Sequence, residues 1–254
     1  LDGARGERWC YTGLVVTPAE VEAKLQSMFI DAPGTTLRRE DLKKAAEVAA
    51  LLNELERAGR GTLVDVAAGK AYLGLLAVEF LGFEHLVVIE RDERRLADVR
   101  HAMSHLTRSA KIELRQGDVN DRTLWPARPG VVTALHACGP PSDAVIDVAL
   151  ASEAKWLLLV PCCYGATIPS WPLAEAQAER LGVPRHAEAH KRFLQSIVDA
   201  ERILRLEAAG WETTAVPFVA PHVTPHNLLL RARRLKEPTR MDDAARRRAR
   251  LLDA

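Results

Sequence analysis

Between residues 62 and 161 five short strand-like runs alternate with stretches of helical spacing. The runs are 62–67 (TLVDVA), 85–91 (HLVVIER), 111–118 (KIELRQGD), 130–137 (GVVTALHA) and 155–161 (KWLLLVP). Helical stretches fill the gaps at 70–82, 92–106 and 142–152. Most of the runs are apolar along their whole length rather than at every second residue. That pattern requires burial on both faces, which only a parallel sheet covered by helices supplies. Beyond residue 165 two more helices are expected, at 170–182 and 186–210, followed by strands at 211–220 and 226–234. A five-residue link (PHVTP) joins this last pair. So short a link makes them antiparallel, because parallel neighbours need a long crossover. The fold class is therefore α/β: a doubly wound, mostly parallel seven-stranded sheet, Rossmann-like.

Two helices precede it. Thr17-Pro18 is a helix-start signal, and 37–61 places Leu42, Ala45, Ala49, Leu52 and Leu55 on one face before stopping at Gly59 and Gly61. The expected organisation is a helical N-terminal extension over 1–59, a sheet domain over 60–235 and a basic tail over 236–254. A chain of 254 residues accommodates that. The formal net charge of +1 excludes a global field directed at nucleic acid or membrane. From 231 to 254, however, nine Lys/Arg face four Asp/Glu. This segment reads either as a solvated helix or as a contact for an anionic partner. No apolar run approaches the ~18 residues that span a bilayer. The charged start (1–13) lacks the apolar core of a signal peptide. Four cysteines, two of them adjacent, form no disulfide framework in a chain this size, so reduced thiols and a cytoplasmic location are expected.

In open parallel sheets ligands bind beyond the carboxyl ends of the strands, where the strand order reverses. Three acids stand at successive strand ends: Asp65, then Glu90, 25 residues later and followed by Arg91, then Asp118, followed by Val119. A carboxylate such as Glu90 suits a ribose diol, and Asp118 suits a nucleobase amino group. The loop after the first strand, DVAAGKAYLG, holds Ala67, Gly69 and Ala71. A dinucleotide loop wants G-x-G-x-x-G so that backbone can approach a pyrophosphate. One glycine among alanines favours S-adenosylmethionine, which carries no phosphate.

The fourth and fifth runs end in LHACGPPSD and LVPCCYG. Together with DVAAGKAYLG and TPHNLLLRA, these segments resemble a group of class I S-adenosylmethionine-dependent methyltransferase domains. The group includes the tRNA acceptor-stem 2′-O-methyltransferases and the methyltransferase-like domain of a glutathione-transferase-C-terminal-domain protein. The likeness runs from about residue 43 to 233. It implies methyl transfer, often on RNA, with S-adenosylmethionine as cofactor. Asp65 and Gly69 match the group's cofactor loop and Glu90 its ribose acid, while His136, Cys138, Cys162 and Cys163 match its signature strand ends. Ala67 and Ala71 depart from it, standing where relatives more often carry glycine.

The expected cofactor residues are thus Asp65, Ala67, Gly69, Glu90, Arg91, Asp118, Val119 and His136. Those beside the reacting methyl are His136, Cys138, Cys162, Cys163 and Tyr164. His136 suits a general base. The cysteines suit packing, a metal site or nucleophilic attack. The C-x-x-C spacing of zinc motifs is missing, so no metal is expected. No Asp stands beside Cys138 to supply the acid that nucleophilic attack needs. His226 and Asn227, where the PHVTP link meets the last strand, suit either acceptor contact or turn formation. Three functions stay open: an RNA methyltransferase acting on tRNA or rRNA, a methyltransferase for a small molecule or protein, and a non-catalytic Rossmann-like binding module.

Overall fold

The computed structural model describes residues 16–30, 39–186 and 188–253. The charged start lies outside them, as do the first two residues of the helical stretch at 37–61. Helix α1 (Pro18–Phe29) opens with a capping box: Glu20 N–H donates to Thr17 Oγ1 and Thr17 N–H to Glu20 Oε2. Such a cap contributes about 1 kcal/mol. Helix α2 (Arg39–Arg57) turns Ala45, Val48, Leu52 and Leu55 inward. Leu42, expected on that face, is instead 41% exposed, because the helix meets the body only from its second turn onward.

Strands and helices then alternate: β1 (Leu63–Val66), α3 (Tyr72–Leu81), β2 (His85–Glu90), α4 (Glu93–Met103), β3 (Lys111–Gln116), β4 (Val131–Cys138), α5 (Pro140–Ala151) and β5 (Trp156–Cys162). The chain continues through α6 (Trp171–Arg180), α7 (Glu188–Ala208), β6 (Trp211–Pro217), β7 (Leu228–Arg234) and α8 (Pro238–Leu252). The seven strands lie in the order β3-β2-β1-β4-β5-β7-β6. β1 to β5 are parallel, and β7 runs antiparallel to both β5 and β6. The fold class is as the sequence predicts.

Burying β1, β2, β4 and β5 on both faces accounts for their unbroken apolar runs. One core, containing Leu63, Leu86 and Leu158, is closed by α1 to α4; the other, containing Val64, Val132 and Trp211, is closed mainly by α5 and α7. Within the segment read as a basic tail, 236–254, residues 238–252 fold as α8, which buries Ala244 and accepts a hydrogen bond from Gln177 at Leu251 O (3.1 Å). The sheet order reverses between β1 and β4, and a crevice opens there beyond the strand ends.

Candidate active site

The floor of the crevice is the turn between β1 and α3. Ala67 (φ 50°), Gly69 (φ 60°) and Ala71 (φ 52°) are all left-handed. An alanine in that region costs roughly 1–2 kcal/mol. The two alanines therefore keep the backbone path that glycine would take without strain.

Two amides of this segment are claimed by carboxylates. Gly69 N–H donates to Glu90 Oε2 (2.8 Å), and Gly74 N–H, in the first turn of α3, donates to Asp65 Oδ2 (2.9 Å). Asp65 is thus a buried cap on α3, with a second contact from Thr133 Oγ1 to Oδ1 (3.4 Å). Burial pushes its carboxyl up to about 7, against the pull of the Gly74 bond. The fit leaves no room for a side chain at Gly74, since a Cβ there would meet Asp65 Oδ2 and Leu86 Cδ1 at 2.9 Å each.

Glu90 is 3% exposed at the end of β2, and its Oε1 accepts from Asp92 N–H (3.0 Å). Asp118 sits beyond β3, where hydrogen bonds from the Asn120 backbone and side chain hold its carboxyl below the usual range. Both acids, with Ala67, Arg91, Val119 and His136, line a cavity of about 260 Å³. Asp65 and Gly69 line an adjoining cavity of about 490 Å³, which shares Ala67, His136 and Cys138 with the first. The structure therefore brings all eight expected cofactor residues to one crevice. Among them, Asp65 serves mainly as the cap.

His136 sits at a break in register between β4 and β5, with φ 63°. Its Nε2 lies 3.0 Å from Glu47 Oε2 on α2, an oxygen that Lys44 also contacts, at 2.5 Å. Burial raises the Glu47 carboxyl, but the bonds from His136 and Lys44 outweigh it and hold the group below its ordinary value. Glu47 escaped the sequence reading because a lone acid on an apolar helix face gives no signal. Only the fold carries it 89 residues along the chain to His136.

The cysteines require a correction. Reduced, unpaired thiols were expected, yet Cys138 and Cys162 are in disulfide contact, with Cα atoms 4.8 Å apart. Parallel register places them directly opposite one another at the ends of β4 and β5, a relationship that spacing along the chain does not reveal. Cys162 is buried, whereas Cys138 and Cys163 are exposed. Tyr164 donates its hydroxyl to Asp199 Oδ1 (2.7 Å), and burial raises both groups, Asp199 to about 6. Asp199 in turn contacts Arg202, which is fully buried and bonded to Asp143 (2.7 Å). Sequence reasoning missed Asp143, Asp199 and Arg202, which lie on α5 and α7.

A third cavity, of about 430 Å³, lies beside Tyr164 and is lined by Lys191, Arg192, His226 and Asn227 among others. Burial, then the charges of His136 and Lys191, hold His226 below its ordinary value. Asn227 also forms a turn bond, from Nδ2 to Val219 O (3.0 Å).

Two of the crevice's amides are already satisfied within the chain. Glu90 and Asp65 occupy the loop and helix-start amides that would cradle a pyrophosphate. Each carboxylate oxygen holds two lone pairs, so Glu90 retains acceptor capacity toward a diol. S-adenosylmethionine, with a ribose diol and a positive sulfonium, fits this donor set.

A methyltransferase-domain family matches residues 40–167, half of the chain. A glutathione S-transferase C-terminal domain-containing protein homolog of Drosophila pseudoobscura pseudoobscura is 27% identical over 200 residues, covering 69% of this chain and 33% of the relative. Its Drosophila melanogaster counterpart is 28% identical over 129 residues, covering 41% of this chain and 22% of that protein. The chain thus spans a third or less of the length of these curated relatives. Among solved structures, magnesium protoporphyrin IX methyltransferase from Synechocystis PCC 6803 aligns with a TM-score of 0.47 at 12% identity, over 84% of this chain and 93% of that one. The Methanococcus jannaschii fibrillarin pre-rRNA processing protein aligns with a TM-score of 0.48 at 11% identity, over 75% of each chain. By the family match over residues 40–167, the chain belongs to the methyltransferase-domain family.

Proposed function

We propose that this chain methylates an RNA nucleoside. The reading rests chiefly on the three carboxylates at strand ends 65, 90 and 118, which meet in one crevice while two of them satisfy its amides. When bound, S-adenosylmethionine supplies a methyl group activated by positive sulfur. Glu90 holds the ribose hydroxyls, Asp118 and Val119 border the adenine, and Asp65, Ala67 and Gly69 shape the methionine end. Arg91 screens the outer rim.

The acceptor enters from the cavity beside Tyr164, where Lys191 and Arg192 meet a phosphate and Asn227 orients the nucleoside. His136, fixed by Glu47, takes the acceptor's proton as the methyl transfers. Cys138, Cys162, Cys163 and Tyr164 flank that point. Methyl transfer is an in-line displacement, so holding the acceptor ~3–3.5 Å from the methyl along one axis contributes much of the rate. Residues 60–235 form the catalytic unit, with the preceding helices supplying Glu47.

One observation favours a small-molecule or protein acceptor instead. The arginines of the RARRLK stretch are spent on the chain's own carboxylates: Arg231 on Glu54, Arg233 on Glu212 and Arg234 on Glu153. In α8, Arg246 and Arg247 pair with Asp243, and Arg248 pairs with Glu201. That leaves fewer cations for phosphates. Transfer of a tritiated methyl group to RNA, protein and metabolite fractions from cells lacking this protein separates the readings. Label in RNA, weakened steeply by salt, supports the first; label in the metabolite or protein fraction alone overturns it.

A further inference from the structure

Cys138 and Cys162 end adjacent parallel strands as register partners. Strand alternation would send Cys163 to the opposite face of the sheet. It does not go there: its backbone is left-handed (φ 53°), and the turn folds its side chain back. All three sulfurs consequently lie within 4.8 Å of one another. Gly139 N–H, immediately after Cys138, donates to Cys162 O (3.0 Å) and ties the two strand ends together. Cys138 and Cys163 are open to solvent, and α5 starts at Pro140 with its positive end toward Cys138, which favours negative charge there.

We propose that in the reduced protein Cys138, Cys162 and Cys163 bind one thiophilic divalent cation of the zinc class. The three thiols lose their protons to solvent as three metal–sulfur bonds form, and no electrons are transferred. Tetrahedral zinc–sulfur bonds of about 2.3 Å separate the sulfurs by roughly 3.8 Å, inside the spread of this cluster. The three ligands leave the fourth position open, as catalytic rather than structural zinc sites do. Cys138 also lines the crevice that holds His136, so the ion stands at the edge of the reaction site. The missing C-x-x-C spacing is no obstacle, because strand register and one left-handed residue gather the ligands instead. The Cys138–Cys162 disulfide is the oxidised counterpart of the site and consumes two of its three ligands.

Titrating the full-length chain with cobalt(II), after phosphine reduction and anaerobic desalting, tests this without reference to methyl transfer. A thiolate-to-cobalt charge-transfer band with tetrahedral visible bands is expected to saturate at one equivalent. One equivalent of zinc should bleach it. Cys163→Ser, at an exposed position, and Cys138→Ser should each weaken cobalt binding at least tenfold while far-ultraviolet circular dichroism stays unchanged. Cys10→Ser should leave the band intact. No band in protein with titratable free thiols, a band undiminished in Cys163→Ser, or a Cys138–Cys162 bond that resists the phosphine would each overturn the proposal.

Discussion

The imidazole of His136 lies 3.0 Å from a carboxylate oxygen of Glu47, on a helix that precedes the sheet. A histidine poised to accept a proton from a substrate works best when its other contacts fix the ring. Replacing His136 by Ala is expected to lower kcat about 100-fold or more. Glu47→Gln should lower it by roughly tenfold or more, with KM and cofactor affinity unchanged, and Glu47→Asp should restore part of the loss. Steady-state kinetics with calorimetric cofactor titration checks both. Full kcat in Glu47→Gln removes Glu47 from the mechanism.

Gly74→Ala should be among the more damaging single changes in the fold. The added methyl would stand 2.9 Å from both Asp65 Oδ2 and Leu86 Cδ1, so the cap on α3 must shift. Overpacking of this kind costs about 1–3 kcal/mol. Denaturant unfolding measures it; unchanged stability would mean that the turn relaxes freely.

Asp65 makes stability depend on pH with a definite sign. Its carboxyl moves from an ordinary 3.8 to about 7 on folding, chiefly through burial. The folded state therefore holds a proton that the unfolded chain releases. That contribution is fully present below about pH 4 and is lost as pH rises through 7, by up to roughly 4 kcal/mol. Asn at this position still accepts from Gly74 N–H and does not titrate. Asp65→Asn should therefore gain on the parent as pH rises from 4 to 8. A stability difference between mutant and parent that stays constant from pH 4 to 8 would contradict the assigned burial.

The strand sequence, parallel pairing and antiparallel last hairpin were legible because periodicity and loop length fix them. Glu90, Asp118 and His136 were legible because strand ends in a doubly wound sheet converge at the switch point. Glu47 and the pairing of Cys138 with Cys162 were not. Each depends on how distant elements pack or on which residues face each other across parallel strands. The ion pairs of Arg231, Arg233 and Arg234 were not legible for a related reason, since their carboxylate partners come from α2, β6 and the turn after α5.

The network behind Tyr164 is expected to be structural. Arg202 is fully buried between Asp143 and Asp199. Asp143→Ala strands that guanidinium and should destabilise the chain by about 3–5 kcal/mol. Thermal unfolding at fixed pH measures it, and a loss below 1 kcal/mol would mean that water or a neighbouring acid replaces Asp143.

The crevice at Asp65, Glu90 and Asp118 is proposed to hold S-adenosylmethionine, with Glu90 on the ribose. Isothermal titration calorimetry of the full chain with S-adenosylmethionine, beside Glu90→Gln, tests it most directly. Micromolar one-to-one binding, at least tenfold weaker in the variant, is the predicted result. No heat of binding in the parent, or equal affinity in the two proteins, would contradict it.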